Sequence, residues 1–142
     1  MSLLDADTWL GRMRLLGLIS IAIALATWAV DIGGLVYACP YCRTQRTMIG
    51  LLGLLMLLPR PGHWMVRWVG SVLATLGLVT AATQNFGGWR RMFAGELEFG
   101  AQWYMHPFLL SGIAMFILMA QIMLIHGSAQ RMPKAITRAH AA

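Results

Sequence analysis

The sequence predicts an all-α integral membrane protein, a bundle of four transmembrane helices with both termini in the cytoplasm. Three observations lead there. Of 142 residues, 58% are hydrophobic and only 11% are charged, with a mean hydropathy of +0.65; a soluble domain averages ~45–50% apolar and ~25% charged. The apolar residues gather into four blocks that approach or meet the ~20 residues a spanning helix needs. No block alternates apolar and polar residues as a barrel strand does, which leaves the helix as the spanning form. The same composition excludes a disordered chain, which is polar and highly charged. Nucleic acid is a poor partner for the net charge of +6, because the 11 basic residues are scattered between apolar blocks.

The first block runs from Leu15 to Val30 without a charge and continues past Asp31 through Ile32–Ala38. It exceeds the ~7–15 residues of a signal-peptide core, and no small-x-small cleavage site follows it, so it reads as a retained helix. The second, Thr47–Leu58, becomes a full span if its helix begins near Cys42. Trp64–Thr83 is the third, interrupted only by Arg67, which lies close enough to the preceding turn to snorkel to the surface. Between these two, Pro59-Arg60-Pro61-Gly62-His63 is a tight turn that extends neither helix. The fourth, Phe108–Ile125, has Gln121 as its only strongly polar residue, suited to an interhelical hydrogen bond, and Ser111, Gly112 and Ala114 as small packing surfaces. Residues 1–14 are then a cytoplasmic N-terminal segment, 15–126 the transmembrane domain, and 127–142 a basic, unstructured cytoplasmic tail.

Loop charges set the orientation. With the termini inside, the inner side holds Arg12, Arg14, Arg60, Arg67, Arg131, Lys134 and Arg138, and the outer side Arg43, Arg46, Arg90 and Arg91; seven against four follows the positive-inside rule. Two features fall on the outer face. One is the short connection holding Cys39 and Cys42. The other is Asn85–His106, with Trp89, Met92, Phe93, Leu97, Phe99, Trp103 and Tyr104. Trp89 and Phe93 share a face if that stretch is helical, giving a short amphipathic surface helix; the alternative is an ordinary aromatic-belt loop.

The chemistry concentrates at Cys39-Pro40-Tyr41-Cys42. Two cysteines three apart close a small disulfide and so hold or release two electrons. The attacking thiolate is favoured by a cation or a helix N-terminus. Both are present if the second span starts near Cys42, with Arg43 adjacent and Arg46 one turn on. Zinc needs four ligands, and there is no second Cys-x-x-Cys and no histidine pair at ligand spacing. The 11 methionines suit copper(I), although most lie in apolar helices where packing explains them. A structural disulfide constrains the unfolded chain little across so short a loop, and no βαβ pattern supports a thioredoxin. Asp31, near the outer end of the first helix, is either satisfied by water or Arg43, or handles protons.

Cys39-Pro40-Tyr41-Cys42-Arg43-Thr44-Gln45-Arg46 resembles the Cys-x-x-Cys-x-x-Gln-Arg signature of the DsbB disulfide-bond-formation membrane proteins, and Gly33-Gly34-Leu35 is similar to the Gly-Leu that precedes it. In that family the motif sits at the outer end of the second of four helices. The resemblance implies a quinone-linked thiol oxidase of the bacterial inner membrane, with its cysteines on the periplasmic side. It would take electrons from a periplasmic DsbA-like thioredoxin-fold protein and pass them to ubiquinone or menaquinone. Carried over by position, Cys39 exchanges with the incoming thiol, Cys42 faces the quinone, and Arg46 holds a quinone carbonyl and stabilises the Cys42 thiolate. An interfacial contact to lipid phosphate is the plainer reading of Arg46, and Gln45 is an orienting candidate. The chain departs from the family twice. Asn85–His106 lacks the second, relaying cysteine pair, and Gln84 and Asn85 stand where members often carry a basic residue or histidine. The alternative from another class is a non-enzymatic membrane subunit or soft-metal-binding protein using the same cysteines.

Overall fold

The computed structural model describes residues 6–36, 39–96 and 106–139, with side chains described up to residue 129. Every regular element among them is helical: α1 (Ala6–Gly11), α2 (Met13–Ile32), α3 (Pro40–Leu57), α4 (Trp64–Phe93) and α5 (Pro107–Ala139). Three stretches, Met13–Ile32, Trp64–Phe93 and Pro107–Ala129, are long and apolar enough to cross a membrane, and less than a third of each is buried within the protein. Leu15, Leu18, Ile23, Leu76, Val79, Ile113 and Phe116 face outward. Apolar surface on that scale marks a protein whose solvent is lipid.

The helix ends follow from local sequence. Pro40 occupies the first turn of α3 behind Cys39, which has extended backbone (φ −88°, ψ 117°) as the N-cap; proline's missing N–H is no loss there. At the C-terminus of α2, Gly34 takes φ 70°, Leu35 N–H donates to Val30 O and Gly34 N–H to Asp31 O. This Schellman turn stops the helix at Ile32, before the expected run through Ala38. Gly95 (φ 71°) ends α4 in the same way, with Glu96 N–H on Arg91 O and Gly95 N–H on Met92 O.

Two helices are longer than expected. α4 does not stop at Thr83 but continues through Phe93, so Trp89 and Phe93 belong to the same rod and not to a separate surface element. The polar residue that suggested an end, Asn85, finds partners on α5: its Nδ2 donates to Phe108 O (2.9 Å) and Ser111 Oγ (3.3 Å). Trp89 stacks on Phe93 and meets Phe108 edge-on. Of the other residues singled out in Asn85–His106, Leu97, Phe99, Trp103 and Tyr104 lie outside the described residues. Likewise the expected unstructured tail is helical to Ala139. Its alanines favour helix.

Pairings across the interfaces give the topology. α2 and α3 run antiparallel: Asp31 meets Arg43 at one end, and Gly17 meets Gly53 toward the other. A Cβ on Gly17 would come within 2.8 Å of the Gly53 carbonyl oxygen, and one on Gly53 within 2.9 Å of that of Gly17. The two backbones therefore touch, as small residues permit in lipid. α4 and α5 form a second antiparallel pair, joined by Asn85–Phe108 at one end and by Arg67–His126 (3.4 Å) at the other. Arg67 thus turns to α5 rather than to the surface. α3 packs on α2, α4 and α5 alike, whereas α2 has little direct contact with α5. The core of Met13, Met48, Leu52, Met56, Ala74, Leu118 and Ile125 lies around α3, and Gln121 donates to Ile49 O (3.0 Å) across the α3–α5 interface.

Candidate functional site

The first turns of α3, the last two turns of α2, and the stretch of α4 around Gln84 meet at one end of the molecule. Helix geometry places the two cysteines differently. Cys39 is the N-cap, at the tip of α3, and Cys42 is the third residue inside it, next to the positive end of the helix dipole. Both are free thiols and half-buried. Gln84 reaches across from α4, its Nε2 3.4 Å from Cys42 Sγ and 3.7 Å from Cys39 Sγ. Its Oε1 accepts from Gln45 Nε2 at 2.7 Å. Gln45 is 4% exposed and Gln84 half-buried, so the amide pair is anchored from its interior end.

On the α2 side of the cysteines stands a charged cluster. Asp31 is buried, and Arg43 grips it with two donors, Nε to Oδ2 at 2.8 Å and Nη2 to Oδ1 at 2.9 Å. Arg46 adds a third at 3.1 Å from Nη1 to Oδ2. Arg46 is otherwise committed to backbone: Nη1 donates to Thr27 O (2.7 Å) and Nε to Cys42 O (3.2 Å). Trp28 lies beneath both guanidinium groups, each 5.9 Å from its ring centroid, and donates Nε1 to Thr47 Oγ1 at 3.3 Å. Two cations against one carboxylate leave a net positive charge, sheltered by an aromatic face. Of the two readings of Asp31, the geometry matches pairing with Arg43: its carboxylate accepts from two arginines and anchors α3 to α2.

Cys42 and Arg46 also line a groove of about 160 Å³ between α2 and α5, floored by α3. Thr27 and the buried Gln45 also border it, and the rest of the wall, Ile23, Ala24, Ile49, Ile113 and Ile117 among it, is apolar. Cys39 is not among its lining residues. One sulfur of the pair therefore borders an apolar slot that opens between two outward-facing helices, and the other sits at the helix tip.

The arrangement unites the residues singled out from sequence, Cys39, Cys42 and Arg46, with Gln45 and Asp31. It differs in one respect: the Arg46 donors go to Asp31, Thr27 O and the Cys42 carbonyl rather than to a sulfur. Sequence reasoning gave Gln84 no role at the cysteines, because it lies about 40 residues away along the chain and looks like any polar residue closing an apolar run. Among the described residues no group of three or more His, Cys, Asp or Glu side chains is placed to hold a metal ion. No protein-family model, curated protein or solved structure matches the chain.

Proposed function

We propose that this chain is a DsbB-type thiol oxidase, a four-helix protein of the bacterial inner membrane with cytoplasmic termini, whose Cys39–Cys42 pair carries electrons from a periplasmic dithiol protein to ubiquinone or menaquinone. The observation that carries the reading is the groove: a redox-capable sulfur and a guanidinium share the wall of a largely apolar slot between two outward-facing helices. A quinone ring needs that combination, an apolar bed with a donor for its oxygen and a two-electron donor beside it. α3 serves as the fourth span. Its 18 residues rise ~27 Å, close to the ~30 Å hydrocarbon core, and packing on its neighbours buries Gln45 in its polar first turns.

The chemistry balances in two half-reactions. A thiolate of the reduced partner attacks Cys39 Sγ, the Cys39–Cys42 bond breaks, and Cys42 leaves as the thiolate. The helix N-terminus stabilises that leaving group. The partner's second thiolate then attacks its own sulfur in the mixed disulfide, and Cys39 is released. In the second half-reaction the Cys39/Cys42 dithiol gives two electrons and two protons to the quinone, which becomes the quinol as the S–S bond re-forms. Arg46 holds a quinone oxygen as its charge grows. With no cysteine in Asn85–His106, the partner reaches Cys39 directly at the helix tip.

The test is turnover by the purified protein in detergent, with a reduced DsbA-like partner and a short-chain quinone followed by absorbance. Wild type turns over and Cys42→Ser does not. Undiminished quinone reduction by Cys42→Ser, or no turnover by wild type with either quinone, overturns the proposal.

A further inference from the structure

We infer that Gln84 is a further catalytic residue of this site, the donor that carries the sulfur charge when the disulfide opens, and that Gln45 is the positioning residue that aims it. The inference deepens the thiol-exchange reading above and rests on it.

The argument starts from what each polar group near the sulfurs is already doing. Arg46, the cation one turn along α3, spends Nε on the Cys42 carbonyl and Nη1 on Thr27 O and Asp31. Arg43 spends Nε and Nη2 on Asp31. Both arginines therefore point toward α2. Among the described residues, the Gln84 amide is the side-chain nitrogen donor that faces both sulfurs, at 3.4 Å and 3.7 Å. An amide nitrogen has two hydrogens, and here it has two sulfurs in front of it.

The orientation of that amide is fixed from behind. Gln45 Nε2 donates to Gln84 Oε1 at 2.7 Å, which assigns the oxygen to Gln45 and turns the nitrogen toward Cys39 and Cys42. Because Gln45 is almost wholly buried, rotating it away would strand a polar group, and that cost holds the pair in register. Gln84 lies nearer Cys42, the leaving group in the exchange, and it stays there while Cys39 is engaged with the partner. A neutral donor also suits a reversible carrier: it stabilises the thiolate without the permanent charge that would trap it. The helix dipole and Gln84 thus act on Cys42, while Arg46 is left for the quinone oxygen.

The test isolates the sulfur from turnover. In a Cys39→Ser background Cys42 is the sole thiol, and its alkylation by iodoacetamide at pH 7 is followed by intact mass. Loss of one charge-assisted hydrogen bond lowers the thiolate population about ten- to hundredfold. The more basic sulfur regains about half of that on a logarithmic scale. Gln84→Met should therefore alkylate roughly three- to tenfold more slowly than the parent, and Gln84→Glu, with oxygens facing the sulfur, more slowly still. Gln45→Met should fall between Gln84→Met and the parent. Alkylation in denaturant, where all variants must react alike, separates this from a change in intrinsic reactivity. If Gln84→Met does not fold, Gln84→Glu and Gln45→Met carry the same comparison. Parent-like rates in the Gln84 variants, or a larger loss in Arg46→Met than in Gln84→Met, would overturn the inference. A wild type that reduces no quinone would sink the functional reading while leaving these rates to decide the role of Gln84.

Discussion

Replacing Arg46 by lysine and by methionine separates its charge from its fork of donors. Arg46 is held in a plane by the Cys42 carbonyl (3.2 Å), Thr27 O (2.7 Å) and Asp31 (3.1 Å) while its side chain borders the groove and stays only 16% exposed. An ammonium keeps the charge but cannot span three acceptors and a quinone oxygen together. The lysine variant therefore loses the equivalent of one charged hydrogen bond in the transition state, about 1.5–3 kcal/mol, or roughly ten- to hundredfold in kcat/KM. Methionine removes the charge as well and should cost about a further tenfold. Initial rates across a quinone series, at saturating partner dithiol, split the effect: lysine mainly raises the quinone KM, whereas methionine also lowers kcat. Single-turnover exchange with the partner, measured without quinone, should be unaltered because Arg46 faces the groove and Cys39 does not. Quinone kinetics within twofold of wild type in both variants would refute the role assigned to Arg46.

Asp31→Asn should raise the quinone KM in the same assay, since Arg46 loses the anion that holds its guanidinium against α2; unchanged kinetics would make the ion pair irrelevant to the groove. Gln121→Leu should stabilise the protein by about 1 kcal/mol in a detergent unfolding titration. It forfeits one hydrogen bond worth ~1 kcal/mol but removes Oε1, a buried acceptor without a partner that costs ~1–3 kcal/mol; clear destabilisation would contradict this arithmetic. Gly53→Ala should cost about 1–3 kcal/mol, because its Cβ lands 2.9 Å from a backbone oxygen that cannot yield without moving α2. Gly87→Ala, which meets nothing within 4 Å inside α4, should instead gain ~0.5–1 kcal/mol in the same measurement.

What could be read from sequence was whatever depends on local pattern. The cysteine pair at the start of α3 and Arg46 one turn along follow from spacing within a single helix, and so does their placement near Asp31 across a short connection. Three of the four apolar blocks are helices both long and apolar enough to cross a membrane. The pattern failed where a distant partner changes what a residue means. Asn85 looked like the end of a span and is instead a rivet to α5. Gln84 looked like a departure from a familiar motif and is the group that touches both sulfurs. Arg67 looked bound for the surface, but His126, 59 positions along, takes its donors. Neutral amides carry no periodicity and no charge signal, so only the packing of α4 on α3 and α5 reveals their use.

The scant contact between α2 and α5 has a consequence for selectivity. The groove is a seam between two hairpins, the pair riveted at Gly17–Gly53 and Asp31–Arg43 and the pair riveted at Asn85–Phe108 and Arg67–His126. On the thiol-oxidase reading proposed above, a quinone ring seated beside Cys42 would trail its tail sideways through that seam into the bilayer, unread by the protein. Discrimination would then fall to the ring alone, and quinones differing only in isoprenoid length should be interchangeable.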